Sequence, residues 1–358
     1  MKDRPIRVLQ LEGDSFDRGA AHGAAYYNEI RRYTAERVRL AINGSWAGRP
    51  ATSADAIELA KSMLSAHRRY APDLYEELEG LARASGISLA EGVIVGGFTD
   101  FVDAVRARGA GPAVEEDDCT AVLVPPAATE GDGLFGQTWD MHDSATEHVS
   151  LLRIVPPEGP RSLIFTTVGC LGQIGLNSAG IAVGINNLVA SNGGVGVTWP
   201  FVVRKVLQQT DLEAALDCVM NADLAGAHNY LLMDRDGRGY NIEAMPGHRA
   251  VTRLGDDPLV HTNHCLDPIA RKAEAGRPPD LAASSEARLA KATELMKARS
   301  IAVQDLIALT REPEAICRRS TPPHHNESSG AAIMRPATGE FWACWGVPAE
   351  NDFESFMI

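Results

Sequence analysis

The stretch EEDDCTAVLVPP, residues 115–126, divides the chain into two unlike parts and constrains its fold more than any other feature. Four acids precede Cys119, and an apolar, β-branched run follows it. A small thiol that served only to fill a core would sit more naturally inside the apolar run than at its charged edge. Upstream of this junction the residues repeat with helical period; downstream they alternate in short strands.

The helical part opens with SFDRGAAHGAAYYNEIRRYTAERVRLAING, for which Ser15 is the expected N-cap and Gly44 the C-terminal stop. A second helix is expected from about Ser53, and a third after Pro72 that ends at Gly86. Ser88 and Glu91 then have capping-box spacing, with the cap side chain bonding the third helical N–H and the glutamate bonding back. Residues 103–118, DAVRARGAGPAVEEDD, are small, charged and broken by Gly and Pro, so a mobile linker is expected there.

Beyond Cys119, the runs CTAVLVPP, GLFGQTWD, SLLRIVPP, SLIFTTVGC and IGLNSAGIAVGINNL are strand-like and separated by turn residues. Helices are expected at about 200–222 and 284–312, and Asp236-Gly237 marks a hairpin. Helices, strands, helices and strands again fit an α+β fold with sheets packed between helical layers.

Composition removes several function classes. The formal net charge is −13, which opposes both nucleic-acid binding through phosphate contacts and attachment to an anionic membrane. No run approaches a membrane span, and the first residues have no signal-peptide core. The six cysteines, at 119, 170, 218, 265, 317 and 344, form no CxxC pair, so reduced thiols and a cytoplasmic location are expected. His261, His264 and Cys265 would point to different sides of a strand, and no metal site is expected of them. Cys170 and Cys265 read as core thiols, and His324 and His325 as part of a solvated loop. The glycine-rich SNGGVGVTWP lacks the lysine of a phosphate loop and reads as a turn or lid.

A nucleophilic cysteine needs a base, a group that orients the base, and donors for the oxyanion. A chain that cuts itself before the cysteine can use the new α-amino group as base, with a reference pKa of roughly 7.7–8.0. That solution needs a cleavable linker before the cysteine and a strand after it. Both are present, although the junction alone also suits a packed, inert cysteine.

The order of DDCTAVLVPP…GLFGQTWD, then GCLGQIGLNSAGIAVGINNL, then LVHTNHC resembles the acyl-coenzyme A:isopenicillin N acyltransferase family. It is more distantly similar to bile salt hydrolases and penicillin V acylases, all of them N-terminal-nucleophile hydrolases. The resemblance implies a four-layer αββα sandwich formed jointly by a helical segment, 1–118, and a catalytic segment, 119–358, cut between Asp118 and Cys119. It implies Cys119 as nucleophile, Thr120 beside it at the substrate, Asp140 holding the α-amino group and Asn263 donating to the oxyanion. Asn186 takes the place of a second polar residue near that oxyanion.

Three positions depart from the family pattern. Asp118 stands where the acyltransferase is cut after glycine, Ser329 replaces an arginine at the substrate, and Gln137 replaces an arginine of the bile salt hydrolases. The function implied is amide hydrolysis or acyl transfer on a small acyl donor, with no cofactor, no nucleic-acid or membrane partner, and two fragments that stay associated. A homo-oligomer is compatible with the sequence. Two other readings remain open at this stage. One is an uncut, catalytically silent protein of the same fold that binds a small molecule or acts in assembly. The other is a papain-like Cys–His protease, for which His261 is the candidate base.

Overall fold

The computed structural model describes residues 4–109, 118–297 and 300–358. The strand β1 (Val8–Glu12) is followed by helices α1 (Ser15–Ala25), α2 (Tyr27–Asn43), α3 (Ser53–Tyr70), α4 (Pro72–Ser85), α5 (Leu89–Gly96) and α6 (Phe98–Arg106). The first helical run is thus two helices, broken at Tyr26, and its N-cap is Asp14, whose side chain accepts from the Asp17 N–H. Gly44 closes α2 in the left-handed conformation, and the Ser88–Glu91 capping box forms as expected. Helices α1 and α4 touch backbone to backbone; a Cβ on Gly19 would lie 1.8 Å from the Glu77 carbonyl oxygen.

Helix α6 runs through Arg106, where Asp103 and Arg106 form a buried ion pair at 2.9 Å. The first four residues of the expected linker, 103–106, are therefore helix. Their apolar neighbours bury that face, a tertiary effect that outweighs the loop-like composition. Residues 110–117 of the expected linker lie outside the described residues.

The remainder carries β2 (Ala121–Val124), β3 (Leu134–His142), β4 (Val149–Val155), β5 (Ser162–Thr167), β6 (Ile174–Asn177), β7 (Ala182–Leu188), α7 (Trp199–Val206) and α8 (Leu212–Met220). After these come β8 (Ala227–Met233), β9 (Gly239–Met245), β10 (His248–Arg253), β11 (Leu259–His261), α9 (Ala270–Ala273), α10 (Pro279–Leu295) and α11 (Val303–Thr310). The chain closes with β12 (Asn326–Arg335), β13 (Glu340–Trp345) and β14 (Phe353–Met357).

These strands form two sheets, ordered β1-β4-β5-β6-β7-β8-β9-β10 and β11-β2-β3-β12-β13-β14. The main core lies between the sheets and under α1–α8, while α10 and α11 cover Val122, Val124, Leu134 and Ile333 on the outer face of the second sheet. This is the four-layer αββα sandwich expected from the sequence. Close contact between the sheets is set at Gly184, where a Cβ would lie 2.1 Å from Gln137 Oε1. The Gln137 amide clasps the Ile185 backbone, accepting from its N–H at 3.1 Å and donating to its carbonyl. The SNGGVGVTWP segment packs against α6 and the 223–225 turn on its way into α7.

Candidate active site

Two residues before β2, Asp118 and Thr120, already pair with β3. The Asp140 N–H donates to the Asp118 carbonyl at 2.9 Å, and the Thr138 N–H donates to the Thr120 carbonyl at 2.9 Å. Strand alternation then sorts the side chains. Cys119, Ala121 and Leu123 enter the core between the sheets, whereas Val122 and Val124 lie under α10 and α11. Asp118 and Thr120 share that second face and meet α10 through Arg288. Cys119 is buried and lies in no disulfide.

Both halves of the Asp118–Cys119 peptide unit are held. Its carbonyl oxygen accepts from Asp140 as above, and its N–H donates to Asn263 Oδ1 at 2.6 Å. Arg288 locks the next carbonyl, donating from Nη1 to Cys119 O at 2.5 Å and to Thr120 Oγ1 at 3.3 Å. Its Nη2 donates to Asp118 Oδ1 at 2.7 Å and to Asn263 Oδ1 at 3.1 Å. Arg318 holds the other Asp118 oxygen and donates to Ser284 Oγ at 2.7 Å. Asp118 and Arg288 are fully buried, so each charge depends on the other, because an unpaired buried charge is costly.

Asp140 is also fully buried, opposite Ser328 on β12. Burial pushes its carboxyl up to about 7; Arg288, the Ser328 hydroxyl and Arg318 pull it down, and the Asp118 carboxylate pushes it up. Neither of its oxygens has a well-formed hydrogen bond.

Asn263 is braced on every side. Its Nδ2 donates to Asn187 O at 3.1 Å, its N–H donates to Ser285 Oγ at 2.9 Å, and Arg277 donates to its carbonyl. In the continuous chain its amide therefore accepts from Cys119 and donates to β7. Two residues before it, His261 sits with Nε2 2.9 Å from Glu243 Oε1 and Nδ1 2.7 Å from Thr262 O. Burial pushes Glu243 up, but His261 and the Leu266 and Asp267 N–H groups more than offset this and hold it below its ordinary value. His261 is thus committed to Glu243 and to its own loop, which leaves it badly placed as a base for Cys119.

The remaining sequence candidates divide. Thr120 belongs to the cluster through Arg288 and Thr138 Oγ1. Asn186 is buried on β7 with Oδ1 accepting from Asn229 at 3.2 Å, and its Nδ2 donor is buried without a partner among the described residues. Ser329 sits at a bulge in β12 and pairs its hydroxyl with Thr146 Oγ1 at 2.9 Å. Among the described residues no group of three His, Cys, Asp or Glu side chains is gathered as metal ligands, and no helix is long and apolar enough to cross a membrane.

Arg288 and Arg318 were not legible as site residues. Within ASSEARLAKATEL an arginine reads as a solvated helix face, and within ICRRST as a loop charge. Their partner Asp118 is 170 and 200 residues away, and no local pattern signals such a pairing. The cluster has the parts for an acyl shift at its own backbone: a cysteine, a carbonyl oxygen already accepting an N–H, and an acceptor on the N–H of the same peptide unit.

Comparison with known proteins gives the family of the chain. The model of the acyl-coenzyme A:6-aminopenicillanic acid acyl-transferase family matches residues 127–350, a range that begins after Cys119. The 40 kDa form of acyl-coenzyme A:6-aminopenicillanic-acid-acyltransferase from Emericella nidulans is 27% identical over 262 residues, covering 72% of this chain and 69% of that protein. Among solved structures, a Caenorhabditis elegans N-acylethanolamine-hydrolyzing acid amidase ortholog superposes with TM-score 0.43 at 15% identity, over 61% of this chain and 93% of that one. A variant of the conjugated bile acid hydrolase from Clostridium perfringens gives TM-score 0.46 at 11% identity, over 67% and 97%. With the family match extending over more than half of its length, the chain belongs to the acyl-coenzyme A:6-aminopenicillanic acid acyl-transferase family.

Proposed function

We propose that the protein is an autoprocessed cysteine amidohydrolase or acyltransferase that works through an acyl-enzyme on Cys119. The observation that carries this reading is the grip on the Asp118–Cys119 peptide unit, with Asp140 N–H on its oxygen and Asn263 Oδ1 on its N–H.

In the first step Cys119 Sγ adds to the Asp118 carbonyl carbon, and the developing oxyanion stays on an oxygen that already accepts a backbone N–H. The C–N bond then breaks, and the amine formed stays within reach of Asn263. Water hydrolyses the resulting thioester, which leaves Asp118 as a C-terminus and Cys119 with a free α-amino group. That amine becomes the base for later turnovers, and the adjacent Asp140 carboxylate is its natural counter-charge. Asn263, with its amide turned, and the unpartnered Nδ2 of Asn186 are the proposed side-chain oxyanion donors.

External turnover follows the same chemistry on a small N-acylated amine, peptide-like amide or acyl thioester. The acyl group moves to Sγ, and water or an amine removes it, water being the acceptor always present. The two fragments stay together because β1 pairs with β4 and the lead helices share the core of the first sheet. A reducing compartment such as the cytoplasm suits six cysteines with no disulfide between them.

One observation favours the silent alternative. Asp118 is fully neutralised and Cys119 is buried, as in a purely structural junction. Intact-mass analysis of fresh protein beside a Cys119→Ala variant decides between the two. Fragments ending at Asp118 and starting at Cys119, in the wild type alone, are expected. A single chain in both after long incubation would favour the silent protein.

A further inference from the structure

An acyl donor that reaches Cys119 Sγ must bring its carbonyl to the region filled by the Asp118 carbonyl in the continuous chain. Turnover therefore requires Asp118 to withdraw once the bond is cut. Its side chain then vacates a defined place. One carboxylate oxygen lies 2.7 Å from Arg288 Nη2, and the other is held by Arg318, which Ser284 Oγ fixes at 2.7 Å.

With Asp118 in place, two guanidiniums face two carboxylates, Asp118 and Asp140. Without it they face one, and the new α-amino group adds no negative charge. Arg288 is fully buried and cannot turn to solvent, so the vacated position calls for another anion. Arg318 has a quarter of its side chain exposed, which leaves an approach from that side. The guanidinium fork suits a carboxylate in particular.

We propose that this place is a carboxylate subsite for the acyl group, so that the preferred acyl donors carry a carboxylate two carbons beyond the scissile carbonyl, as in succinyl and aspartyl amides. The chain supplies the ruler: in Asp118 the carboxylate stands two carbons from the carbonyl that Cys119 would attack. A malonyl group would fall short of the arginines. The inference rests on the acyl-enzyme reading above and narrows its substrate class.

The reaction balances without an added reagent. Sγ bonds to the acyl carbon as the thiol proton passes by way of the α-amino group to the leaving nitrogen, and the C–N bond breaks. Water then adds to the thioester, the C–S bond breaks, and the dicarboxylic acid leaves as the thiol regains its proton.

The test uses processed full-length protein and three probes: an N-succinyl 4-nitroanilide, its methyl ester, which has the same shape but no charge, and 4-nitrophenyl butanoate as a neutral acylating agent. We expect kcat/KM for the succinyl anilide to exceed that of its methyl ester by about ten- to hundredfold, the range of a hydrogen bond to a charged group. Arg318→Gln should narrow that ratio, chiefly through KM. Equal rates for the two anilides would overturn the subsite. So would acylation of Cys119 by the butanoate with no preference for the succinyl anilide, and that result would leave the acyl-enzyme reading standing. Failure of every probe to acylate Cys119 would overturn both.

Discussion

Asp140 donates its backbone N–H to the carbonyl oxygen of Asp118 at 2.9 Å, across an isolated bridge just ahead of β2. One aspartate thus holds the bond that the other ends. A carbonyl already polarised by an N–H is better prepared for attack than one facing solvent, because its donor needs no reorganisation. The same bridge brings two carboxylates together inside the protein, and Arg288 and Arg318 make that tolerable.

Arg288 is the first point at which this arrangement can be broken. In a Cys119→Ala background, Arg288→Met should lower folding stability by about 3–5 kcal/mol, since Asp118 loses a buried partner and the backbone carbonyl of residue 119 loses its guanidinium donor. Chemical denaturation monitored by circular dichroism reads this directly. A loss below about 1 kcal/mol would show that Arg318 alone suffices.

Asn263 should matter to the cut more than to the fold. Asn263→Ala removes the acceptor of the Cys119 N–H and the donor to Asn187 O. Appearance of the fragment that starts at Cys119 should slow by about 10²-fold, the scale of misplacing a reacting group, because the peptide unit loses the acceptor that holds its N–H. A time course by mass spectrometry checks it, and unchanged kinetics would remove Asn263 from the processing step.

Asp140 predicts a pH dependence with a definite sign. Its carboxyl is raised to about 7 in the folded chain, so between about pH 4 and 7 the native state holds a proton that the unfolded state has lost. Stability attributable to Asp140 therefore falls as pH rises through that window, by at most about 4 kcal/mol. Comparing Cys119→Ala with Cys119→Ala/Asp140→Asn isolates the contribution, because Asp103, also raised to about 7, is common to both. Parallel stability–pH curves for the two proteins would contradict the assignment.

Gly19 tests the helical layer. A Cβ there meets the Glu77 carbonyl at 1.8 Å, and Glu77 itself pairs with Arg18 and Arg204. Gly19→Ala must push α1 away from α4 and should cost about 3 kcal/mol. Thermal unfolding of the Cys119→Ala protein with and without the change measures it; a shift within error would mean the two helices separate freely.

Local features were legible because they depend on neighbours in sequence. The Ser88–Glu91 capping box, the Gly44 stop and the strand alternation around Cys119 involve residues within a few positions of each other. The motif order placed Cys119, Asp140 and Asn263 in one reading, and the fold brings the Asp140 N–H and the Asn263 side-chain oxygen to the peptide unit between Asp118 and Cys119. Composition misled where tertiary packing overrode it, as at residues 103–106, drawn into α6.

By itself, then, the residue pattern determined the helical and strand layers and the junction at Cys119, since apolar period and turn chemistry act over short range, while Cys119, Asp140 and Asn263 were drawn together by the family resemblance. Only the tertiary structure decided that Arg288 and Arg318 neutralise Asp118, that Asn263 faces the Cys119 N–H through its oxygen, and that Ser329 turns to Thr146. The reason is physical. The cost of burying a charge is set by whatever partner the fold delivers, and these partners lie 170 and 200 residues along the chain.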